Sequence, residues 1–459
     1  MLSLKNPYNS GIPGLEALQK LKVEEITFRH EEYLGNYADC FVRSQQIKYF
    51  EAFNKGLMSN LDRKTIEPIA LSFMEETEVR GMQQFFTRSK GWEDSVNNRY
   101  KNKLSEELNA PKGFLRVDES DFVKKGKESA GVARQYCGIL GKTDNCQAGV
   151  FVSYATDKGS GLIDSRLYIP EIWFSDGYKE RREDCQIPTD MRFVTKNEMA
   201  KEMIADVLNS KLFEVDCIGC DAAFGSDAAF LDSLHESVYY FASVRENEYI
   251  YLDMPEVIIP ENSGKGGRFK HPRATERPVH IKTILNDESV PWVKRVIAEG
   301  AKGPVIAEIK CLRAVSARKE NRLFVPGTEI WVYIRKHEDG TIKYFISNKP
   351  ADTPVEELDR LAAARWSIEQ CFQECKSYLG MAHYETRSYQ AWHRHMLFVM
   401  IAHLFVTVLR GFLKNIRNSY HADGDLHHCF ANTDSDQTGG GSHDCALSVT
   451  TKLGCLSIA

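Results

Sequence analysis

The stretch APKGFLRVDES, residues 110–120, decides how this chain folds. Pro111 and Gly113 end a helical region, because proline lacks the amide hydrogen and glycine has little helix propensity. FLRV, residues 114–117, then reads as a strand entering a core, with Asp118 directly after it. Upstream, RHEEYLGNYADCFVRSQQIKYFEAFNKGL, DRKTIEPIALSFM and GMQQFFTRSKGWED place apolar residues at three- and four-residue steps. Residues 1–110 therefore read as helical, with scattered basic and aromatic side chains. Downstream, QAGVFVSYA (147–155) and SRLYIP (165–170) read as the next two strands. TKNEMAKEMIADVLNSKLF reads as a helix, with Thr195 as its N-cap and Glu198 at the capping-box position. VDCIGCDAAFG then reads as a short strand ending in Asp221. Strands, a helix and a further strand predict a mixed α/β sheet.

Residues 238–350 read as mostly β, through VYYFASV, YIYLDM, VHIKTIL, PVIAEIKCLRAV, EIWVYIRK and IKYFIS. A basic, glycine-rich loop, NSGKGGRFKHPRATERP, interrupts them, and the segment reads as an insertion. A long helical region starts at TPVEELDRLAAARW, with Thr353 and Pro354 as cap and first-turn residue. It runs, with a break near Gly380, to residue 417. Residues 418–459 are rich in glycine, serine and aspartate without periodicity and read as a disordered tail. The expected segments are thus 1–110 (helical, DNA-binding), 111–237 (first part of the core), 238–350 (β-rich insertion), 351–417 (helical part of the core) and 418–459 (tail).

The chain has 459 residues, enough for two to four domains. At 42% hydrophobic and 27% charged it has the composition of a soluble globular protein. A net charge of −5 excludes a chain that is basic throughout, although a basic groove can coexist with an acidic remainder. MLSLKNPYNSGIPG has no apolar run after its lysine, so the cysteines are expected as free thiols in a cytoplasm. The lone CxxC of DCIGC, Cys217 and Cys220, reads as buried thiols and not as a metal or redox site. MLFVMIAHLFVTVLRGFL, residues 396–413, is interrupted by His403 and Arg410 and reads as a buried core helix, with no membrane partner.

Chemistry enters with ARWSIEQCFQECK, residues 364–376. On a helical wheel Ile368, Cys371, Phe372, Cys375 and Leu379 form an apolar stripe. Arg365, Glu369, Gln373 and Lys376 form a second stripe roughly a quarter turn away. Arg365 and Glu369 are also an i,i+4 pair, whose plainest role is a surface ion pair worth a few tenths of a kcal/mol. The glutamate gains another meaning if carboxylates from elsewhere converge on it. Asp118 and Asp221, each after an apolar strand, are the candidates. Three such acids suit two Mg²⁺ ions, which take hard oxygen ligands and keep several waters. A metal pair can then activate one oxygen and stabilise the departure of another in phosphoryl transfer.

Three blocks carry a resemblance: VDESDFVKKGKESAGVARQYCGILGKTDNCQAGVFVSYA (117–155), DAAFGSDAAF (221–230), and the long run from ISNKP to AHLF (346–405). On them the chain resembles the DDE transposases of bacterial insertion sequences, most closely the insertion sequence 701 family, over about residues 45–415. The resemblance implies an α/β, RNase H-like catalytic core with an inserted β-rich subdomain and an N-terminal helical domain. It makes Asp118, Asp221 and Glu369 the catalytic, metal-holding acids, with Mg²⁺ as the ion and Mn²⁺ as a substitute. The family's glutamate helix has the pattern Y-(2)-R-(3)-E-(6)-K. Arg365, Glu369 and Lys376 supply the last three, and Ala362 stands where the tyrosine would be. Two further departures are Asp121, in place of the glycine of D-[DE]-[ST]-G-F, and Phe224 in place of a frequent tyrosine. Asp121 and Glu119 are therefore rival acids to Asp118; in a strand they share one face while Asp118 and Ser120 share the other.

For DNA contact, Arg365 on the glutamate helix is one candidate, Lys124, Lys125, Lys127 and Arg134 follow the first acid, and Lys376 is placed by the resemblance beside the DNA. The loop GKGGRFKHPR, residues 264–273, is a second basic candidate. Such cations give salt-sensitive, sequence-independent affinity. RSYQAWHRH, residues 387–395, holds an HxH that reads as packing or base contact more readily than as zinc ligation. The expected function is a transposase that binds terminal inverted repeats, cleaves the strands and joins the 3′ ends to target DNA. It would act as a homodimer on double-stranded DNA in the bacterial cytoplasm, associated with the nucleoid. The rival readings are a transposase-derived DNA-binding protein without catalysis and an RNase H-like nuclease without strand transfer.

Overall fold

The structure is a computed structural model that describes residues 23–259, 272–300, 303–320, 323–364 and 366–422. These form two compact units. The first comprises residues 23–109, 119–194 and 368–422, and the second residues 110–118 and 195–367.

In the first unit, five helices come first: α1 (Val23–Gly35), α2 (Ser44–Met58), α3 (Ile66–Phe73), α4 (Val79–Thr87) and α5 (Glu93–Leu108). The strand expected at FLRV is longer than that run. β1 covers Gly113–Val123, so the chain passes from the second unit to the first inside it, after Asp118. Near-continuous burial along it is typical of a strand covered on both faces. β2 (Ala133–Cys137) and β4 (Gly159–Leu167) pair antiparallel with β3 (Lys142–Thr156), and the short helix α6 is Lys179–Asp184. Of SRLYIP, Ser165, Arg166 and Leu167 lie in β4, and the remaining three residues do not.

The second unit continues with α7 (Lys196–Ser210), β5 (Val215–Cys220), α8 (Ala222–Gly225), α9 (Ala228–Asp232), β6 (Tyr239–Val244) and β7 (Tyr249–Tyr251). The capping box read in the sequence is present: Thr195 Oγ1 accepts the Glu198 amide at 3.2 Å, and the Thr195 amide donates to Glu198 Oε2 at 2.7 Å. Next come β8 (Val257–Ile258), β9 (Arg273–Ala274), β10 (Val279–His280), β11 (Val293–Gly300), β12 (Gly303–Glu320), β13 (Leu323–Lys336), β14 (Ile342–Ser347) and α10 (Val355–Ala364). The unit's main sheet runs β10-β7-β12-β13-β14-β6-β5-β1, with β11 also on β12. The β1–β5 and β5–β6 pairs are parallel, and those from β6 through β14 and β13 to β12 antiparallel, so the sheet is mixed. Its core packs Phe114, Cys217, Phe241, Ile309, Tyr333 and Phe345 against Leu358 and Leu361 of α10. Gly219 lets β5 approach this core, since a Cβ there would lie 2.2 Å from the Phe114 ring.

Two readings of this unit need correction. VHIKTIL is not one strand: Val279–His280 is a two-residue strand, and Ile281–Asn286 is a 3₁₀ turn. Three residues per turn put Ile281 and Ile284 on one side, where both are buried. Lys310 Nζ caps the turn by donating to the carbonyls of Ile284, Leu285 and Asp287. The reverse error is VKRVIAEG, a strand whose apolar pattern Lys294, Arg295 and Glu299 interrupt.

The first unit closes with α11 (Trp366–Ser377) and α12 (Tyr389–Ala422). Ile368, Cys371, Cys375 and Leu379 are buried, as the apolar stripe requires. Gly380 has a left-handed φ of 69°, which ends the turn after α11. α12 is long and apolar enough to cross a membrane by length and composition, and most of its apolar window is buried. Phe398 of α12 meets Phe50, Phe53, Phe85, Phe86 and Trp92. Arg394 is buried beside them and donates to the carbonyls of Phe85 at 3.0 Å and Phe86 at 2.7 Å.

A buried carboxylate joins α11 to α12. Glu374 accepts from Gln370 Nε2 at 2.9 Å, His403 Nε2 at 3.0 Å and Arg410 Nη2 at 2.8 Å. Burial alone pushes this carboxyl up, but the bond and charge of His403 and the charge of Arg410 outweigh it and hold it at about 2, below its ordinary 4.5. A depressed carboxylate stabilises the fold fully above its ordinary value and loses that contribution as the pH falls toward its folded value. The urea midpoint is therefore expected to drop between about pH 4.5 and pH 2. Glu374→Gln should flatten that part of the profile; an unchanged acid limb would exclude this network as its source.

Residues 1–22, 260–271, Arg365 and residues 423–459 lie outside the described residues, and with them the start of the expected helical segment, most of GKGGRFKHPR and most of the expected tail, whose first residues, 418–422, are instead the end of α12.

Candidate active site

In the second unit, β1 and β5 lie side by side in parallel register, with Val117 opposite Cys220. The next residue of each strand is an aspartate, so the register sets Asp118 and Asp221 beside each other at the carboxyl end of this pairing. The crevice outside the carboxyl ends of parallel strands is the common ligand site of such sheets. Asp221 ends β5 and caps α8: its Oδ1 accepts the amides of Ala223 at 3.0 Å and Phe224 at 3.3 Å. Its Oδ2 makes no hydrogen bond among the described residues. Asp118 departs from its reading as a strand-end residue, because β1 continues past it; what ends there is the parallel pairing.

Arg116 is a site residue the sequence reading missed. It is 1% exposed, and its Nη2 donates to Asp118 Oδ2 at 3.0 Å. The signal was present: a lone cation inside FLRV, two residues before the acid and so on the same strand face. Buried guanidinium and half-buried carboxylate offset each other's desolvation.

Two half-buried carboxylates side by side where the β1–β5 pairing ends, one with a free oxygen, are a hard-oxygen donor set that fits a divalent cation keeping several waters. Among the described residues no three His, Cys, Asp or Glu side chains form a ready metal cage. Cys217 and Cys220, three apart on β5, face opposite sides of the strand, and burial pushes both thiols well up.

The other predicted residues belong to the first unit. Glu369 stands exposed in the first turn of α11. Lys376, in its last turn, is half-buried and turned onto β1, where its Nζ donates to the Asp121 carbonyl at 3.3 Å. The rival acid Asp121 is buried and accepts the Gly138 amide at 2.6 Å, while Glu119 is half-buried. Lys124 also turns inward: it donates to the Tyr384 carbonyl at 2.7 Å and lies 4.8 Å from that ring. Burial lowers its ammonium to about 8, partly offset by Glu385. Lys125, Lys127 and Arg134 are exposed. In the HxH, His393 Nδ1 bonds the Tyr389 carbonyl and His395 Nε2 that of Gly380. Burial lowers both rings, His395 to about 4, so near neutral pH they are packing groups and not cations.

Residues 36–299 match the family described as DDE superfamily endonuclease. That range includes Asp118 and Asp221 and ends before Glu369. The chain is also 28% identical over 224 residues to a probable transposase for insertion sequence element IS701 from Microchaete diplosiphon. The aligned part is 48% of this chain and 55% of that protein, so the chain spans about half the length of this relative.

Proposed function

Because the chain belongs to the DDE superfamily of endonucleases, we propose that it is a transposase: it binds terminal inverted repeats, cleaves DNA strands and transfers the 3′ ends to target DNA. The observation that carries this reading is the pair Asp118 and Asp221, set beside each other where the parallel pairing of β1 and β5 ends. Divalent metal use follows from the superfamily. In the finer reading Asp118, Asp221 and Glu369 hold two Mg²⁺ ions, for which Mn²⁺ substitutes. Bound there, such ions supply Lewis acidity to the attacking and leaving oxygens of an in-line displacement.

The chain's own side chains do the rest. Arg116 fixes one oxygen of Asp118, and the α8 amides fix one oxygen of Asp221, so each carboxylate is oriented before any ligand arrives. Preorganised donors spare the reaction the cost of arranging them. Arg365 orients Glu369 through their i,i+4 spacing, and Lys376 meets a phosphate of the end DNA. Lys125 and Arg134 add exposed positive charge along the duplex, and Lys124, though turned inward, belongs to the same segment. Pairing of two ends makes the acting form a homodimer, working on double-stranded DNA in the bacterial cytoplasm and nucleoid.

The test uses labelled duplexes carrying the DNA that borders the gene, with and without Mg²⁺. Metal-dependent nicking followed by joined product is expected. Binding without nicking would replace the proposal with a catalytically decayed DNA-binding protein, and cutting without joining with a nuclease.

A further inference from the structure

We propose that Asp121 is a positioning residue for Lys376, its backbone carbonyl holding the lysine's ammonium against β1 and its buried carboxylate supplying the opposite charge nearby, where a DNA phosphate can reach the ammonium. The proposal rests on Lys376 being a DNA contact and names the group that holds it in place.

Asp121 is 5% exposed. Its Oδ2 accepts the Gly138 amide, while its Oδ1 is buried with no hydrogen-bond partner among the described residues. A buried carboxylate with an unspent oxygen is costly unless a cation compensates it. The cation is at hand: Lys376 Nζ donates to the Asp121 carbonyl at 3.3 Å and lies 5.3 Å from the centre of the Phe122 ring. Two consecutive residues of β1 thus hold one side chain of α11. Among the described residues that is the ammonium's single hydrogen bond. An ammonium carries three N–H groups, so two remain for phosphate oxygens.

Charge supports the geometry. Burial lowers the proton affinity of Lys376, and the groups opposing it are Asp121 first and the buried thiol of Cys137 on β2 second. This accounts for an aspartate where the resembling transposases have glycine. Glycine offers the same carbonyl but no charge to keep a half-buried lysine protonated.

Asp121→Asn separates this role from a structural one. Its amide oxygen can still accept the Gly138 N–H, so the latch between β1 and the turn after β2 survives while the charge is lost. Binding of a labelled duplex carrying the gene-bordering DNA is followed from pH 6 to 10 at fixed salt. Lys376→Ala should weaken binding about tenfold at neutral pH and reduce the salt slope by about one. Asp121→Asn should bind almost as wild type at neutral pH and lose affinity at a pH about one unit lower. Adding Asp121→Asn to Lys376→Ala should change nothing further. Lys376→Arg, whose guanidinium does not titrate, should remove the alkaline loss from wild type and Asp121→Asn alike. If Lys376→Ala weakens binding but the Asp121→Asn and wild-type pH profiles coincide, the positioning role falls and the DNA contact stands. If Lys376→Ala binds like wild type with the same salt slope, the contact falls and the proposal with it. Should Asp121→Asn not fold, Asp121→Gly, which restores the residue of the resembling transposases, takes its place in the same pH series, and a profile coincident with wild type overturns the positioning role.

Discussion

Asp118→Asn, Asp221→Asn and Glu369→Gln should each slow metal-dependent strand cleavage on the order of 10³-fold, equivalent to about 4 kcal/mol of barrier. Each swap keeps the shape of the side chain and removes the charge that a divalent cation needs. Stability should then separate the three. In Asp221→Asn the side-chain amide oxygen can still accept the Ala223 and Phe224 amides that Asp221 holds, so the cap on α8 survives and the urea midpoint stays near wild type. Glu369 is exposed, and its replacement should be equally mild. Asp118 faces the buried Arg116 guanidinium, and Asp118→Asn leaves that charge with a weaker partner. This variant alone should lose about 1–2 kcal/mol of stability as well as activity. Cleavage within threefold of wild type for any of the three folded variants would remove that residue from the catalytic set.

Phe398→Ala should destabilise the first unit by about 3–5 kcal/mol in urea unfolding, with Phe398→Leu costing under about 1.5 kcal/mol. Phe398 lies at ring-centroid distances of 5.2 Å from Phe50, 5.4 Å from Trp92, 5.5 Å from Phe86, 5.9 Å from Phe53 and 6.0 Å from Phe85. Its stacking on Trp92 and Phe85, tilted by 20° and 16°, is contact that alanine cannot replace. The result bears on the reading of α12. A helix whose apolar face served a lipid would tolerate the truncation in water, whereas a core helix would not. A midpoint shift below that of Phe398→Leu would refute the core assignment.

Features that depend on neighbours along the chain were legible in the order of the amino acids. Proline and glycine before FLRV ended the helices and started β1, and the spacing of Thr195 and Glu198 set the start of α7. The apolar stripe of residues 368–379 fixed which side of α11 is buried. Asp118 and Asp221 were legible as candidates because each follows an apolar run, and Glu369 through the pattern it shares with known transposases. It was the tertiary structure that decided what each charge meets. Parallel pairing of β1 with β5 set the two aspartates beside each other, although they stand far apart in the chain. It committed Lys124 to a carbonyl, turned Lys376 onto Asp121, and revealed Arg116 behind Asp118. Local propensity acts over a few residues through backbone sterics and hydrogen bonds, so it is written in short windows. Desolvation and ion pairing act through space on side chains of distant origin, and no window of sequence contains both partners.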